Sequence, residues 1–524
     1  MKTTFRFIIA AMAAISMFSS CQKELANETA SSTTDGVRTI SVQFDNSTKA
    51  SLSGLAPTFT NNDKIRVSNT EKSEECTVTV SGAGATFTTT LSGALTAIYP
   101  ADAAVLASEA TDAPIASSNN FKVLASQDGT MEKAIIAKAT VAEGGSTATF
   151  SGLTSLFVVT PPSGATSFTI KSLNKIGTDG QRATTPDAEF INTSGEDDAA
   201  KRIITVTGVD TDGNAYVSLV PGVNLTDLSF DAGANYGMKG IPMKDITASG
   251  KPNATAANTK YTIGNANNTW HPYVPIGGKK WATENIGATE TDPYGTYFMW
   301  GETNGIKPSA SSFSFPTSKY YTADNHSWTK TSGFAWANCP WTNGTFNSSS
   351  NKNVFTKYTN SDDYAKSGTA DNKTKLDLAD DAAYANWGGP WRMPTGGTES
   401  NADFTALAKA ANASYSSSSL SYTDTITTGD APSSQGVYYY YNVSGKTVGV
   451  YFVDSSQKKL FFPAAGFGNG TSLLNAGSCG YYWSSSLYTS GPNRAYGLLF
   501  SSGNVNPQNY NHRYYGFSVR PVSD

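Results

Sequence analysis

The sequence predicts a mainly β protein, with two β-sandwiches followed by an α+β domain. Three observations predict it. Charged residues make up 15% of the 524 positions and aromatics 11%, with 47 glycines; that is the usage of β-rich modules, not of a helical enzyme. Through the first half, apolar residues recur at every second position in short runs punctuated by turn residues, at sandwich spacing. All nine tryptophans lie at or after Trp270, with all three histidines and 22 of the 26 tyrosines. That shift marks a domain boundary in the Gly/Asn/Ala-rich stretch near residues 250–268.

Composition also excludes. A hydrophobic share of 39% argues against wholesale disorder, and the net charge of −4 offers no basic field, so no nucleic-acid partner is expected. No apolar run reaches the ~18 residues of a membrane span. Four cysteines without a C-x-x-C pair and three scattered histidines leave no zinc pattern, so no metal and no cofactor are expected.

Residues 1–20 read as a secretory signal. Lys2 and Arg6 form a basic start, Phe7 to Phe18 an apolar stretch too short to span a bilayer, and Ser19-Ser20 a small-residue cleavage site. Cys21 follows directly, which resembles a bacterial lipobox. It implies cleavage before Cys21, acylation of its thiol and anchoring in the membrane; the alternative is an ordinary signal with a chance cysteine. Gln22 stands where an Asp would suggest inner-membrane retention, so an outer-membrane lipid anchor is expected. Residues 21–36 are polar and without periodicity, a flexible tether.

Residues 37–132 and 133–262 read as the two sandwiches. In the first, Ile40, Val42 and Phe44 share a face, then Ile65 and Val67, Val78 and Val80, Phe87 and Leu91. In the second, Ile135–Val141 and Ser151–Val159 are followed by Phe168 and Ile170, Ile204 and Val206, Val217 and Leu219. Asp63 reads as a turn residue capping its own backbone.

Four strings in this region, TKASLS from Thr48, FTNNDKIRV from Phe59, AIYP from Ala97 and ASQDG from Ala125, stand in an order that resembles the fimbrillin family of surface lipoproteins. The resemblance covers about 215 residues. It implies two transthyretin-like sandwiches of the pilin type, with pilin subunits as partners. Asn61-Asn62-Asp63 departs from the family's F-x-x-G-D, but Asn tolerates left-handed φ nearly as Gly does. In such pilins a trypsin-like protease can cut after an arginine near the first strand, freeing a groove that a neighbour's strand fills. Arg38 is the candidate here; the alternative is an exposed arginine flanking a strand.

Residues 263–524 carry two helical patterns, Asp377–Trp387 and Ala402–Ala413. In the second, Phe404, Leu407, Ala408 and Ala411 share one face, with Asn401 as the expected N-cap. Val437–Val443 and Thr447–Val453 flank Ser444-Gly445 as a hairpin, with Lys459–Pro463 as a third strand. Ala495–Ser501 turns at Ser502-Gly503 into a late loop and a final strand, Gly516–Val522. The strings from Thr269 to Glu302, GGPWRMPT from Gly388, FFPAAGFGNG from Phe461, CGYYWSSSLY from Cys479, AYGLLFSSGNV from Ala495 and RYYGFSVRPV from Arg513 together resemble the Fibrobacter major paralogous domain family. That resemblance implies a C-type-lectin-like fold, distantly shared with formylglycine-generating enzymes.

The formylglycine-generating relatives use paired cysteines late in the domain. Cys339 and Cys479 do not reproduce that pattern, and in an exported protein they are expected to form a disulfide, with buried thiols as the alternative. No nucleophile, base and orienter come together in the sequence, so no catalytic residue is expected and the chain reads as non-enzymatic. Neither Glu-Pro-Asn nor Trp-Asn-Asp occurs in this region, which disfavours calcium-dependent sugar binding; Asp362-Asp363 and Asp377/Asp380-Asp381 read as solvated groups. Trp281, Trp300, Trp391 and Trp483 read as core. Trp328, Trp336 and Trp341 lie in an unpatterned Ser/Thr/Asn-rich stretch and are the candidate ligand-binding rings, for a glycan or a host surface protein; the alternative is that they pack their loops onto the domain. Asp424-Thr425-Ile426 resembles an O-glycosylation sequon, with Thr425 as acceptor. The expected function is adhesion or ligand binding at the cell surface, as a pilus tip subunit presenting the lectin-like domain. The alternatives are a glycan-capture lipoprotein outside any pilus and, weakest, an enzyme.

Overall fold

The computed structural model describes residues 36–45, 57–172, 203–242, 254–263 and 270–524, apart from positions 83, 105, 117–120, 122, 124–125, 211, 258, 309–318, 324–325, 331–332, 344–352, 417–418, 431 and 442–446. Strands dominate it and the helices are short. The first unit begins with β1 (Arg38–Phe44), β2 (Lys64–Ser68), β3 (Ser73–Thr77), β4 (Thr79–Ser81), β5 (Gly84–Thr89) and β6 (Leu95–Tyr99). Next come β7 (Ser126–Gln127), α1 (Met131–Ala134), β8 (Ala137–Val141) and β9 (Thr147–Gly152). Eight of these strands run in the order β3-β2-β6-β8-β9-β1-β5-β4. Only two residue pairs join β8 to β9. There the sheet turns a corner and faces itself across a core that takes Ile65, Val67 and Ala97 from one half and Ile40, Val42, Phe44 and Phe87 from the other. The alternation read in β1 therefore holds. Asn62 adopts φ 77°, and the Asp63 carboxylate accepts from the Thr60 amide at 2.8 Å. That is the turn role read from the sequence.

The second unit holds β10 (Ser155–Val159), β11 (Phe168–Ser172), β12 (Ile203–Val206), β13 (Ala215–Leu219), β14 (Leu228–Asp231), β15 (Met238–Gly240) and β16 (Thr259–Ile263). A three-stranded sheet, β13-β10-β16, packs on a five-stranded one, β15-β14-β11-β12-β7, over Phe157, Phe168, Ile170, Val217 and Phe230. The expected split at 132/133 is corrected here. β7 lies before that point yet pairs with β12, while β8 and β9 lie after it and complete the first sheet. Alternation shows that a strand buries one face; it does not show which sheet receives it. Gln127 bridges the two sheets of this second unit, donating to the Ser218 carbonyl at 3.1 Å and accepting from its amide at 2.9 Å.

The C-terminal unit opens with β17 (Tyr273–Ile276), β18 (Lys279–Ala282), β19 (Tyr297–Phe298), β20 (Lys319–Ala323) and β21 (His326–Lys330), then α2 (Ala382–Trp387) and α3 (Asp403–Ala411). It continues with β22 (Asp424–Ile426), β23 (Gly436–Tyr440), β24 (Gly449–Val453), β25 (Lys459–Pro463), β26 (Phe467–Asn469) and β27 (Ser472–Leu474). It ends with β28 (Gly480–Leu487), β29 (Arg494–Phe500), β30 (Val505–His512), β31 (Phe517–Ser518) and β32 (Val522–Ser523). Its two main sheets are β22-β23-β24-β25 and β19-β31-β28-β29-β30, and β32 returns to pair with β18 beside β17. The α+β reading holds, with three local corrections. The first predicted helix is interrupted because Asp381 caps α2, accepting from the Ala383 and Tyr384 amides at 2.8 and 3.1 Å. Asn401 does not cap α3; the Asp403 amide donates instead to Thr395 Oγ1 at 2.9 Å. The predicted final strand is two short pieces. Between them Arg520 is buried, donating to Asn285 Oδ1 and to the Ala282 and Phe461 carbonyls. The four tryptophans read as core are core: Trp281, Trp300, Trp391 and Trp483 are all 0% exposed.

The second and third units are in direct contact. Met238 and His271 exchange both backbone hydrogen bonds, at 2.9 and 2.8 Å. A Cβ on Gly240 would stand 2.2 Å from the Gly388 carbonyl carbon, so the two backbones touch where no side chain fits. Asp231 of β14 accepts from Lys280 Nζ at 2.6 Å and Tyr273 Oη at 3.2 Å. His271 stacks on Trp387 at 3.5 Å and its Nδ1 lies 2.8 Å from Glu284. Burial lowers its pKa below the usual 6.5; the Glu284 carboxylate acts the other way, and the positive charge of Lys239 adds to the lowering. A base whose folded pKa lies below its unfolded one binds fewer protons when folded, so this joint is expected to lose stability as the pH falls through about 6.5 and below. Thermal unfolding at pH 7.5 and 5.5 tests this: His271→Gln should flatten the difference, and an unchanged difference would show that other groups carry it.

Candidate ligand-recognition face

β28, β29 and β30 form one antiparallel ribbon, and β30 is the edge strand of its sheet. Period-two alternation puts Tyr496 opposite Tyr510 and Arg494 opposite His512 on one face. Tyr488, just past β28, stacks on Tyr510 at 3.9 Å and 14°, and Tyr496 stands edge-on to Tyr488 at 5.3 Å. The Arg494 guanidinium lies 5.5 Å from the Tyr510 ring centre. Tyr510 is 40% exposed, and Tyr488, Tyr496 and Arg494 are half-buried. The backing is tight: a Cβ on Gly396 would come 2.7 Å from Ser484 Oγ, and one on Gly397 3.2 Å from the Tyr496 ring. The rings are thus held by backbone that accepts no further bulk.

The aromatic surface continues past β30. His512 lies within 5.8 Å of Tyr514 and Tyr515, Tyr514 is 4.9 Å from Trp336, and Phe467 is 5.2 Å from Tyr515. Amide side chains lie on the same strand: Asn506, Gln508, Asn509 and Asn511 are half-buried on β30, the last two on the face away from Tyr510. Burial lowers the His512 pKa below 6.5, and the Arg494 charge adds to that lowering. Half-exposed aromatic faces beside amide donors and acceptors suit a ligand with both apolar and polar faces.

The residues singled out in the sequence are distributed as follows. Cys21 lies outside the described residues. Arg38 is the first residue of β1, and its guanidinium donates to the Leu91, Gly93 and Gly145 carbonyls at 3.3, 2.8 and 2.9 Å. A cut after Arg38 would leave β1 paired with β5 and β9, so it would not open a groove in the first sheet. Cys339 and Cys479 stand as thiols, not as the expected disulfide. Cys339 is buried with Phe334, Met299 and Ala465, whereas Cys479 precedes β28 near Tyr422, Tyr439 and Tyr481.

Trp328 falls on β21, and its side chain lies outside the described residues. Trp336 and Trp341 follow the packing alternative and not the ligand-binding one, because both are half-buried against the domain. Trp341 adopts φ 59°, meets Tyr358 edge-on at 6.0 Å and carries the Lys357 ammonium 4.7 Å above its ring. Trp336 packs on Phe355 and Tyr514 and joins the aromatic surface only at its rim. Thr425 lies on β22, exposed on a short edge strand and not in a loop. The acidic groups are engaged: Lys357 holds Asp377 and Asp380, and Asp381 caps α2 and accepts from the Met393 amide. The tyrosine face was missed. The Asn-rich run that carries Tyr510, His512 and Tyr514 reads as a late loop; the structure corrects it, as far as His512, to the strand β30, whose signal is the ring at every second position.

A family described as a domain of unknown function (DUF8237) matches at residues 450–522, well under half of the chain and not the Fibrobacter family that its motifs resemble. No curated protein matches. Among solved structures, a candidate cell adhesion protein from Bacteroides uniformis is 13% identical, covering 44% of this chain and 94% of its own at a TM-score of 0.25. A candidate cell adhesion protein from Bacteroides fragilis is 12% identical, covering 42% and 87% at 0.22. A fimbrial protein from Bacteroides ovatus is 10% identical, covering 92% and 98% at 0.24. These scores are too low to carry an argument about fold or function.

Proposed function

We propose that the chain is a bacterial cell-surface adhesion or ligand-capture lipoprotein, with the two sandwiches as stalk and the C-terminal unit, of C-type-lectin-like kind, as the contacting head. The observation that carries the reading is the tyrosine face of β29 and β30: several half-exposed rings, fixed from behind, on the unit farthest from the tether. The order of fimbrillin-like strings after a lipobox supports the surface location and makes pilin subunits the natural neighbours. A whole further unit, residues 263–524, follows the sandwiches, which suits a pilus tip subunit better than a stalk subunit. Non-catalytic binding, without cofactor or metal, is the activity this face supports. A glycan and host-protein array probed with the full chain and with a Tyr488→Ala/Tyr510→Ala double variant tests it. Signals present with the parent and lost with the variant support the reading; an array pattern identical for both would contradict it.

Anchoring is proposed through acylated Cys21 in the outer membrane. Cys21→Ala is expected to leave the protein unlabelled by a palmitate analogue and absent from the outer-membrane fraction; retention of label there would refute the anchor. Thr425, exposed on its edge strand, is proposed as an O-glycosylation acceptor. Intact-mass analysis of Thr425→Ala from the native host should show loss of a glycan mass, and a difference equal to the substitution alone would dispose of the site.

A further inference from the structure

We propose that the Arg494–Tyr510–Tyr488 stack binds a carboxylated sugar, a residue of the uronic- or sialic-acid class within an acidic glycan. The inference rests on the recognition reading above and names its ligand class. Among the described arginines, Arg38 donates to three carbonyls, Arg66 and Arg392 form ion pairs, and Arg513 and Arg520 are buried. Arg494 is half-buried at the surface and, among the described residues, has no carboxylate within ion-pair distance; its guanidinium meets the Tyr510 ring instead. A planar guanidinium beside an aromatic face presents a fork that matches a carboxylate bidentately.

A second observation points the same way. From Cys479 to Ser523 the chain contains no Asp or Glu. Beneath the stack, Arg513 is wholly buried; its Nη1 donates to the Pro492 carbonyl at 3.2 Å, two residues from Arg494, while its Nε and Nη2 have no acceptor. His512, opposite Arg494 in the ladder, has its pKa lowered first by burial and then by the Arg494 charge. The charge selects an anion. The Tyr488 and Tyr510 rings select one that also has an apolar ring face, and Asn493, 3.4 Å from His512 Nδ1, stands near for hydroxyl groups. A carboxylated pyranose has all three features. A free inorganic anion has only the first.

Titration calorimetry on the full chain tests the proposal with two acidic probes, an oligogalacturonate hexamer and sialyllactose. Their neutral counterparts are the carboxyl-reduced hexamer and lactose. At least one acidic probe should bind about tenfold or more tighter than its counterpart, and Arg494→Gln should remove that preference by roughly the same factor. Arg494 holds no ion pair, so melting should be unchanged in this variant, and circular dichroism checks the fold. Tyr488→Ala should weaken acidic and neutral probes alike. Acidic and neutral probes bound equally, with both lost in Tyr488→Ala, would overturn the acid preference and leave the recognition face standing. Acid-selective binding that survives Arg494→Gln would overturn the role of this stack. Absence of binding by every probe would overturn the ligand class, and the array result then decides the recognition reading separately.

Discussion

Trp483→Ala is expected to destabilise the C-terminal unit by about 3–5 kcal/mol, the usual cost of emptying a core aromatic site. The ring is 0% exposed, stacks on Phe517 at 4.0 Å and donates from Nε1 to the Phe298 carbonyl at 2.8 Å. Its loss would open a cavity between β28 and β31 and leave that carbonyl without its donor. Trp483→Phe keeps most of the stacking and should cost less than half as much. Thermal unfolding reads both. A Trp483→Ala transition within a degree or two of the parent would show that this core does not hold the unit together. Tyr510→Ala is the contrast: its ring is largely at the surface, and it should change melting little.

Arg392→Met is expected to cost a comparable ~3–5 kcal/mol by a different route. Arg392 Nη1 donates to Asp403 Oδ2 at 2.6 Å and Nη2 to Asp524 Oδ1 at 2.8 Å, while Asp403 is 2% exposed at the start of α3. Removing the cation leaves a buried carboxylate with the Thr395 donors at 2.7 and 3.0 Å and Lys279 Nζ at 3.9 Å. Asp403→Asn in the same chain should recover part of the loss, because it removes the stranded charge. Burial alone would raise the Asp524 carboxyl, but hydrogen bonds from Arg392 and Lys279 hold it at about 2, below its ordinary 3.8. A depressed carboxyl stabilises the fold above its unfolded pKa and loses that contribution as the pH falls through about 4 toward 2. Arg392→Met should flatten this acid limb. Denaturant titrations across that range check it, and a double variant no more stable than Arg392→Met would contradict the stranded-charge account.

Much of the architecture was legible because it depends on local pattern. The inward residues of β1, the left-handed Asn62, the strand Lys459–Pro463 and the four core tryptophans follow from alternation, turn chemistry and burial of large rings. What was not legible depends on distant pairing. Nothing local in 137–152 tells that β8 and β9 return to the first sheet, and nothing near Asn401 shows that Thr395 accepts from the α3 N-terminus. The candidate site divides the same way. Trp336 and Trp341 sit in sequence without period, which reads as open loop, but Phe355, Tyr358 and Tyr514 arrive from elsewhere in the chain to cover them. Tyr510 lies in Asn-rich sequence that reads as a late loop, yet pairing with β29 makes it part of the edge strand β30, which leaves its ring facing outward.

Hydrogen exchange measured by mass spectrometry on the full chain, with and without the tightest-binding array ligand, tests most directly where recognition resides. Protection is predicted in peptides covering 488–515, with residues 37–262 unchanged. Protection confined to the sandwiches, with 488–515 exchanging as before, would contradict the account.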